Sequence, residues 1–181
     1  MKVERTEIAG VLMLEPKVFG DARGYFYESY NRKTFAQATG LDVEFVQDNH
    51  SRSSKNVLRG LHYQLRQPQG KLVRVTAGEI WDVAVDLRRG SANFGRWTAA
   101  TLSAQSRRML WVPAGFAHGF LVLSEHAEVL YKATDYYAPE HERTLLWNDP
   151  ALAIAWPLAA EPVMADKDRR GKPLAVAETF D

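Results

Sequence analysis

Two histidines lie in segments that could bring their side chains to one site, where imidazole groups could serve acid–base chemistry or binding. His62 lies within Arg59–Gln64 (RGLHYQ), and His118 follows a Pro-x-Gly-x-x turn. Because side chains alternate along a strand, Arg59 and His62 share a face only if Gly60 opens a bulge. With the bulge, a guanidinium and an imidazole line one cavity. Without it, Arg59 is a surface residue beside a buried, hydrogen-bonded histidine.

The turn before His118 indicates a barrel. Pro113 and Gly115 give the spacing Pro-x-Gly-x-x-His, which resembles the second motif of the cupin superfamily, a small double-stranded β-barrel. Metal-binding cupins have His-x-His in their first motif, but here Gln64 follows His62 at that spacing. A divalent first-row metal prefers several His or carboxylate ligands. The sequence therefore predicts a barrel with no metal and no cofactor, and a metal-dependent cupin oxygenase is the alternative.

A lysine and two tyrosines supply further functional groups. Lys71 shares a strand face with Val73 and Val75. A buried ammonium group needs a partner, so this pattern by itself favours Lys71 at the barrel rim, pointing to water. Tyr131 and Tyr137 also share strand parity. A buried tyrosine can donate a proton and an exposed ring can stack on a base, although packing in core and rim is commoner.

The elements that position these groups are predicted to be short strands. Apolar and aromatic runs separated by turn residues favour an antiparallel sandwich or barrel. A helix is expected at Asn31–Thr39, with Asn31 as N-cap and Gly40 at its end, and a helical turn is expected near Ala165–Arg169. The charge run Asp166–Arg170 is otherwise typical of solvated surface. The expected strands are Val11–Glu15, Glu44–Gln47, Val57–Leu65, Leu72–Ala77, Glu79–Leu87, Trp97–Leu102, Arg108–Val112, His118–Leu123 and Glu128–Asp135.

Composition limits the classes of function. The 181 residues favour a single domain spanning 1–181. Lys and Arg number 23 against 22 Asp and Glu, and the net charge of +1 argues against a nucleic-acid binder or a polybasic membrane protein. An anionic small molecule held by a few local cations stays possible. The absence of cysteine excludes disulfides and cysteine nucleophiles. With no signal-peptide pattern and no long apolar run, we expect a soluble, cytoplasmic protein without a membrane segment.

Six segments resemble the dTDP-4-dehydrorhamnose 3,5-epimerase family. Any one of them is weak evidence, but all of them in order seldom occur by chance. The resemblance extends from about Val11 to Leu174. The segments are Phe19–Phe26, Phe45–Ser51, Val57–Gln64, Val112–Phe120, Tyr131–Lys132 and Trp147–Pro150.

The resemblance implies a fold, an assembly and a substrate. The fold is an all-β, cupin-type double-stranded β-helix (jelly-roll) barrel with a few short helices. The assembly is a homodimer with an exchanged N-terminal segment. The implied substrate is dTDP-4-dehydro-6-deoxy-D-glucose, a dTDP-4-keto-6-deoxy sugar, and the implied product is dTDP-4-dehydro-L-rhamnose. The family uses no metal and no cofactor.

The resemblance also implies roles for residues of this chain. The four catalytic residues are His62 as general base, Asp168 as its carboxylate partner, Lys71 as the cation near the ketone oxygen, and Tyr131 as the acid on the opposite face. Tyr137 matches the aromatic residue that stacks on thymine. Arg23 and Glu28 are expected to reach the site of the neighbouring subunit. The implied substrate-binding residues are Arg23, Glu28, Gln47, Asp48, Asn49, Arg59, His118, Tyr137, Glu142 and Lys167.

The implied reaction sets requirements on the site. A ketone at sugar carbon 4 acidifies the hydrogens on carbons 3 and 5, so a base, an oxyanion stabiliser and an acid on the other face are needed. A relative that inverts only carbon 3 or only carbon 5 of a related dTDP-4-keto sugar shares the base and is the nearest alternative. A non-catalytic sugar-nucleotide-binding barrel is a second alternative, but such a module has no need of a base and an acid.

Overall fold

Thirteen β-strands and two short α-helices make up the computed structural model, which describes residues 1–181. A 3₁₀ turn lies at Pro139–His141, and the helices are α1 (Arg32–Thr39) and α2 (Asp166–Arg169). The strands are β1 (Lys2–Arg5), β2 (Leu12–Glu15), β3 (Val18–Asp21), β4 (Gly24–Tyr27), β5 (Gln47–Ser54), β6 (Leu58–Gln64), β7 (Lys71–Ala77), β8 (Glu79–Asp86), β9 (Trp97–Ser103), β10 (Met109–Val112), β11 (Phe116–Val122), β12 (His126–Ala133) and β13 (Glu142–Thr144).

The strands form two antiparallel sheets and a separate hairpin. The six-stranded sheet has the order β1-β2-β10-β7-β12-β5, and the five-stranded sheet has the order β13-β6-β11-β8-β9. From β9 to β13, successive strands alternate between the two sheets, so the chain repeatedly crosses from one sheet to the other. This is the connectivity of a jelly-roll barrel. The predicted all-β, cupin-type fold is confirmed.

The main hydrophobic core fills space between the two sheets. Val73 and Val129 of the six-stranded sheet belong to the same buried cluster as Ile80 and Phe120 of the five-stranded sheet. Side chains alternate between the two faces of a strand, so alternate residues point into this core, and β10 and β11 are buried on their other face as well. Burial of each such side chain stabilises the fold by about 1.5–3 kcal/mol. Phe120 and Tyr131 also line a cavity, so the core borders directly on it.

The strand β5 differs from the sequence-based expectation. The expected strand at Glu44–Gln47 was wrong, because the structure has β5 at Gln47–Ser54. Its sequence, QDNHSRSS, contains no apolar residue that would reveal a strand. Antiparallel pairing with β12 along its whole length holds β5 in place. Polar side chains are tolerated on its inner face because that face borders the cavity.

Both helical segments lie where the sequence predicts them. The Asn31 side chain accepts a hydrogen bond from the Thr34 backbone N–H at 3.1 Å, which caps the start of α1. Gly40 ends this helix with a φ of +75°, a left-handed conformation that favours glycine. Asp168 in α2 is buried. None of the helices combines the length and the apolar character that crossing a membrane requires.

A hairpin of β3 and β4 forms its own two-stranded unit, apart from both sheets. Its turn lies at Asp21–Gly24, as the sequence predicts. Phe19 is 54% exposed and Phe26 is 72% exposed. Large aromatic side chains grouped on a surface and exposed to this extent are typical of a contact site for another molecule.

Candidate active site

A cavity of about 340 Å³ opens between the two sheets, beside the core. Strands of both sheets and α2 contribute to its wall, which is mostly polar. Eleven of the fourteen residues predicted for the site line it. These residues are Gln47, Asn49, Arg59, His62, Lys71, His118, Tyr131, Tyr137, Glu142, Lys167 and Asp168.

His62 on β6 forms a close pair with Asp168 on α2. His62 Nε2 lies 2.5 Å from Asp168 Oδ1, and the Gly60 backbone N–H donates to Asp168 Oδ2 at 3.4 Å. Asp168 is 2% exposed, so the expectation of solvated surface for this charge run was wrong here. Because the carboxylate accepts from Nε2–H, the other ring nitrogen, Nδ1, keeps a free lone pair. The pair therefore supplies an oriented base.

A bulge in β6 brings Arg59 to the cavity. His118 of β11 stands opposite His62. Two residues further along β11, Phe120 stands opposite Arg59, so β6 holds one extra residue at Gly60. Gly60 has a φ of +119°, and a side chain there would collide with the backbone of β11. Of the two alternatives that the sequence left open, the structure has the one with the bulge, and Arg59 and His62 line the same cavity.

Lys71, the first residue of β7, faces the cavity. It is half-buried, and its Nζ lies 5.8 Å from the ring centroid of Tyr131. The expectation from strand pattern that Lys71 points to water at the rim was therefore wrong. Burial lowers the pKa of Lys71 to about 8, although the charges of Asp82 and Glu142 oppose that shift. An ammonium group fixed in this way can stabilise a developing anion.

Tyr131 lies on β12, in the sheet opposite the one that carries His62. Its ring packs against the main core and also lines the cavity. Burial, reinforced by the charge of Glu142, raises the pKa of Tyr131. The hydroxyl therefore keeps its proton at neutral pH. A protonated phenol opposite a basic imidazole can return a proton to the face opposite the one from which the base removes it.

A network of charged and aromatic side chains forms another part of the cavity wall. Lys167 Nζ donates to Glu142 Oε1 at 3.1 Å and to Oε2 at 3.0 Å, and the Tyr137 hydroxyl donates to Oε2 at 3.3 Å. Burial is the largest single influence and works against the charge on Lys167, but the hydrogen bonds to Glu142 and the charges of Glu142 and Asp168 together outweigh it and raise the pKa of Lys167. Tyr137 is 51% exposed. An exposed ring held by a hydrogen bond is suited to stacking on a planar base.

Three predicted site residues lie away from the cavity of the single chain. Gln47 and Asn49 lie on the cavity face of β5, whereas the side chain of Asp48 lies on the other face and accepts a hydrogen bond from a lysine of β12 at 2.9 Å. Arg23 lies in the turn of the β3–β4 hairpin, where it is exposed. Glu28 follows the hairpin and accepts hydrogen bonds from side chains at the start of α1.

The structure adds residues that the sequence analysis missed. Asp82 on β8 is fully buried, and both of its oxygens accept from His118 Nε2, at 2.8 and 3.0 Å. The signal for it was present, because a carboxylate inside the apolar run 80–85 must find a partner when that strand is buried. Ser51 and Gln69 also line the cavity. Ser51 was missed together with the strand β5 that carries it.

No group of three or more His, Asp or Glu side chains is placed to hold a metal ion. Gln64, at the second ligand position of metal-binding cupins, is buried and used for structure. Its amide donates to the backbone carbonyls of Gln67 and Tyr136 and accepts from the Ala138 N–H. The groups that the cavity offers are imidazole, phenol, ammonium, guanidinium and carboxylate. The fold and the cavity thus define a cupin-type jelly-roll protein equipped for acid–base chemistry.

Comparison with known proteins identifies the particular family. The family model of dTDP-4-dehydrorhamnose 3,5-epimerase matches residues 5–176, and the chain belongs to this family. A dTDP-4-dehydrorhamnose 3,5-epimerase from Pseudomonas aeruginosa is 62% identical over 180 residues, which cover 99% of each chain.

Solved structures agree with this assignment. The dTDP-6-deoxy-D-glucose-3,5-epimerase from Legionella pneumophila, in complex with dTDP-4-keto-L-rhamnose, is 50% identical with a TM-score of 0.96, over 98% of this chain and 94% of that chain. A 3'-monoepimerase from Streptomyces bikiniensis, in complex with dTDP-quinovose, is 35% identical with a TM-score of 0.88, over 94% of this chain and 86% of that chain. The resemblance found in the sequence is confirmed.

Proposed function

We propose that this protein epimerises carbons 3 and 5 of dTDP-4-dehydro-6-deoxy-D-glucose and so forms dTDP-4-dehydro-L-rhamnose. One observation carries the proposal: the His62–Asp168 pair and Tyr131 approach one cavity from opposite sheets. The 62% identity to a 3,5-epimerase, against 35% to a monoepimerase, favours inversion of both carbons over the single-carbon alternative.

The first chemical step removes a proton next to the ketone. His62 Nδ1 takes the proton from carbon 3 or carbon 5, and the electron pair moves onto the ketone oxygen to give an enolate. Asp168 stabilises the imidazolium that forms. The Lys71 ammonium offsets the negative charge on the enolate oxygen. Groups of this kind each lower the barrier by about 2–4 kcal/mol.

The second chemical step returns a proton to the opposite face. The enolate carbon takes the hydroxyl proton of Tyr131 while the ketone re-forms, and the configuration of that carbon is inverted. Water then accepts the proton that His62 gained and supplies the proton that Tyr131 lost. No oxidation or reduction occurs in this cycle, so we propose that neither a cofactor nor a metal takes part.

The remaining polar groups of the cavity are assigned to the nucleotide part of the substrate. We assign Tyr137 to stacking on thymine, because its ring is exposed and lies beside the Glu142–Lys167 pair. Arg59 and Lys167 supply positive charge for the diphosphate. Gln47, Asp48, Asn49 and His118 stay predicted contacts of the nucleotide sugar.

We also propose a homodimer in which the β3–β4 hairpins are exchanged. In the single chain, Arg23 and Glu28 do not line the cavity, and Phe19 and Phe26 of the hairpin are exposed. Exchange covers the aromatic residues with a second copy of the chain and brings Arg23 and Glu28 to that copy's cavity. The cytoplasmic location expected from the sequence stays a prediction, as does the absence of a nucleic-acid partner.

Solvent isotope exchange tests the proposed function. With the nucleotide sugar in D₂O, NMR is expected to show deuterium at both carbon 3 and carbon 5 and formation of the L-sugar. Label at only one carbon replaces the proposal by the single-carbon alternative, and binding without label favours the sugar-nucleotide-binding barrel. Dialysis against a chelator is the control. Activity that is lost on dialysis and regained with iron or nickel supports the metal-dependent alternative.

A further inference from the structure

A buried serine lies just beyond the polar wall of the cavity. Ser53 is on the same face of β5 as Gln47 and Asn49, which line the cavity, but it does not line the cavity itself. It is 7% exposed, and Ala127, which stands opposite it on β12, is fully buried in the main hydrophobic core. The Ser53 hydroxyl therefore lies where this face of β5 passes from the cavity into the core.

The side chain of Arg59 is the hydrogen-bond partner of this hydroxyl. Arg59 Nε donates to Ser53 Oγ at 2.9 Å, and Ser53 Oγ has no other partner. A buried hydroxyl without a hydrogen bond is unfavourable, so a serine at the edge of the core depends on this contact. Ser53 and Arg59 flank the turn between β5 and β6, so the bond also joins the two sheets.

The charge of Arg59 has no carboxylate partner. Lys167, in the same cavity wall, is paired with Glu142 at 3.0 Å, whereas Arg59 forms no ion pair within the chain. Because its Nε–H is bound to Ser53, the N–H groups of its two terminal nitrogens are left for a ligand. These groups form a planar fork that suits a pair of phosphate oxygens. A bond at Nε fixes the direction in which that fork points.

We propose that Ser53 is a positioning residue for the diphosphate of the substrate: its hydroxyl holds Arg59 Nε so that the terminal nitrogens of the guanidinium face the cavity. The inference rests on the proposed function, in which Arg59 supplies positive charge for the diphosphate. It deepens that function by assigning a role to a residue outside the cavity wall. Without the bond, the long Arg59 side chain would sample several rotamers, and ordering it on binding would cost affinity.

Substitution of Ser53→Ala tests the inference through binding. Loss of one hydrogen bond that orders a charged group should weaken the binding of thymidine diphosphate, measured by calorimetry, by about three- to tenfold. The affinity for thymidine, which has no phosphate, should stay the same. With the nucleotide sugar, KM should rise by a similar factor while kcat changes by less than about twofold, because the bond acts on binding and not on the chemical step.

A double-mutant cycle with Arg59→Ala shows whether Ser53 acts through Arg59. We expect Arg59→Ala to weaken the binding of thymidine diphosphate more than Ser53→Ala does. Adding Ser53→Ala to Arg59→Ala should then weaken it no further. If the two losses multiply, Ser53 acts independently of Arg59 and the inference is overturned. An equal loss of affinity for thymidine also overturns it, because the whole site is then distorted.

The Arg59 Nε–H signal reads the bond in the protein without ligand. NMR of the arginine side chains should show hydrogen exchange at Arg59 Nε that is at least about tenfold faster in Ser53→Ala than in the native protein. Unchanged exchange contradicts the inference. This reading needs no turnover, so it tests the contact even if the proposed function fails. Binding of thymidine diphosphate without turnover of the nucleotide sugar would contradict the proposed function and leave the Ser53–Arg59 contact standing.

Ser54→Ala is the matched control, because Ser54 is the next residue of β5 and is exposed on the other face. It should change neither the exchange at Arg59 Nε nor the binding of thymidine diphosphate. Ser53→Cys keeps the inference testable if Ser53→Ala does not fold. A thiol fills the position but is a weak acceptor, so we expect losses in the same direction as for Ser53→Ala. Native affinity for thymidine diphosphate in Ser53→Cys contradicts the role of the hydroxyl.

Discussion

His62 and Tyr131 face one cavity from different sheets: His62 from β6 of the five-stranded sheet and Tyr131 from β12 of the six-stranded sheet. A flat enolate between the sheets would present one face to the imidazole and the other to the phenol. Inversion needs proton transfer at both faces, whereas exchange without inversion needs only one. The jelly-roll connectivity creates this arrangement, because β11 and β12 carry the chain from one sheet to the other.

Removal of the base is expected to abolish the reaction. His62→Asn keeps a polar side chain but cannot accept a proton from carbon, so we expect turnover to fall by about 10²–10⁴-fold. Deuterium uptake measured by NMR should fall by a similar factor at both carbons. His50→Asn is the matched control, because His50 is exposed and pairs with Glu128 outside the cavity. Full turnover by His62→Asn would rule out the mechanism.

Removal of the acid is expected to separate exchange from inversion. Tyr131→Phe leaves His62 and Lys71 in place, so the enolate still forms and deuterium is still returned by His62 to the face from which it came. We expect formation of the L-sugar to fall by at least about tenfold more than deuterium uptake. Product analysis and NMR on the same samples give the two rates. Equal losses of both rates would contradict the assignment of Tyr131, and the exposed Tyr136→Phe is the control.

The carboxylate partner of the base is expected to act through charge. Asp168→Asn retains the size of the side chain but removes the negative charge that stabilises the His62 imidazolium, so kcat should fall by about 10²–10⁴-fold. KM for the nucleotide sugar should change much less. Asp166→Asn lies on the same helix and on its exposed side, so it should leave kcat unchanged. Equal kinetics for the two variants would show that the His62–Asp168 pair is structural only.

The lowered pKa of Lys71 predicts that a rise in pH has opposite effects on activity and on stability. The enolate needs the charged form, so kcat should fall as the pH rises through about 8, the pKa of Lys71 in the folded protein. In the unfolded chain the pKa is 10.5, so the folded state binds fewer protons between these two values and stability rises with pH across that window. Below pH 8 the buried charge costs at most about 3 kcal/mol.

Lys71→Met should therefore inactivate the enzyme and stabilise the fold. We expect a higher free energy of unfolding than in the native protein at pH 7, and a difference that shrinks toward zero above pH 10.5. Urea denaturation at both pH values measures this, and Lys55→Met, which removes an exposed ion pair, is the control. A less stable Lys71→Met protein at pH 7 would show that packing of the aliphatic chain outweighs the cost of the charge.

The sequence predicted the elements whose signals come from residues close together in the chain. The helix α1 was predicted because Asn31 and Gly40 cap its two ends through contacts within a few residues. The bulge could be offered only as one of two alternatives, because Gly60 permits a bulge in the strand but does not require one. The strand β5 could not be recognised, because its inner face borders a polar cavity and its pattern carries no apolar signal.

The errors in the candidate site have a different cause. Strand alternation gives the face on which Lys71 lies but not what stands across from it, so a cavity wall could not be told from a solvent-exposed rim. Asp168 was expected to be a solvent-exposed residue, because its partner His62 is 106 residues away in the chain and the local sequence does not reveal the pair. Asp82 was overlooked although its partner His118 is only 36 residues away, since each lies in a different strand. Such contacts become visible only when the sheets are assembled.

The proposed exchange of hairpins predicts that two inactive chains restore each other's activity. Arg23→Ala removes a group that the exchange carries into the partner's cavity, and His62→Asn removes the base from a chain's own cavity. A mixed dimer has one site with both defects and one site with neither. Random mixing makes half of the dimers mixed, so we expect activity to recover to roughly a quarter of the native value.

Arg32→Ala is the matched control for Arg23→Ala, because it removes another exposed arginine and so distinguishes exchange from an effect on folding. Arg32 lies at the start of α1, where it pairs with exposed Asp42 and does not line the cavity, so Arg32→Ala alone should be fully active. Sedimentation should show dimers in every case. If refolded mixtures of Arg23→Ala and His62→Asn stay as inactive as their components, Arg23 serves its own chain or no site at all, and the hairpins are not exchanged. Recovery of activity, by contrast, can arise only when two chains build one site, because neither defective chain holds both groups.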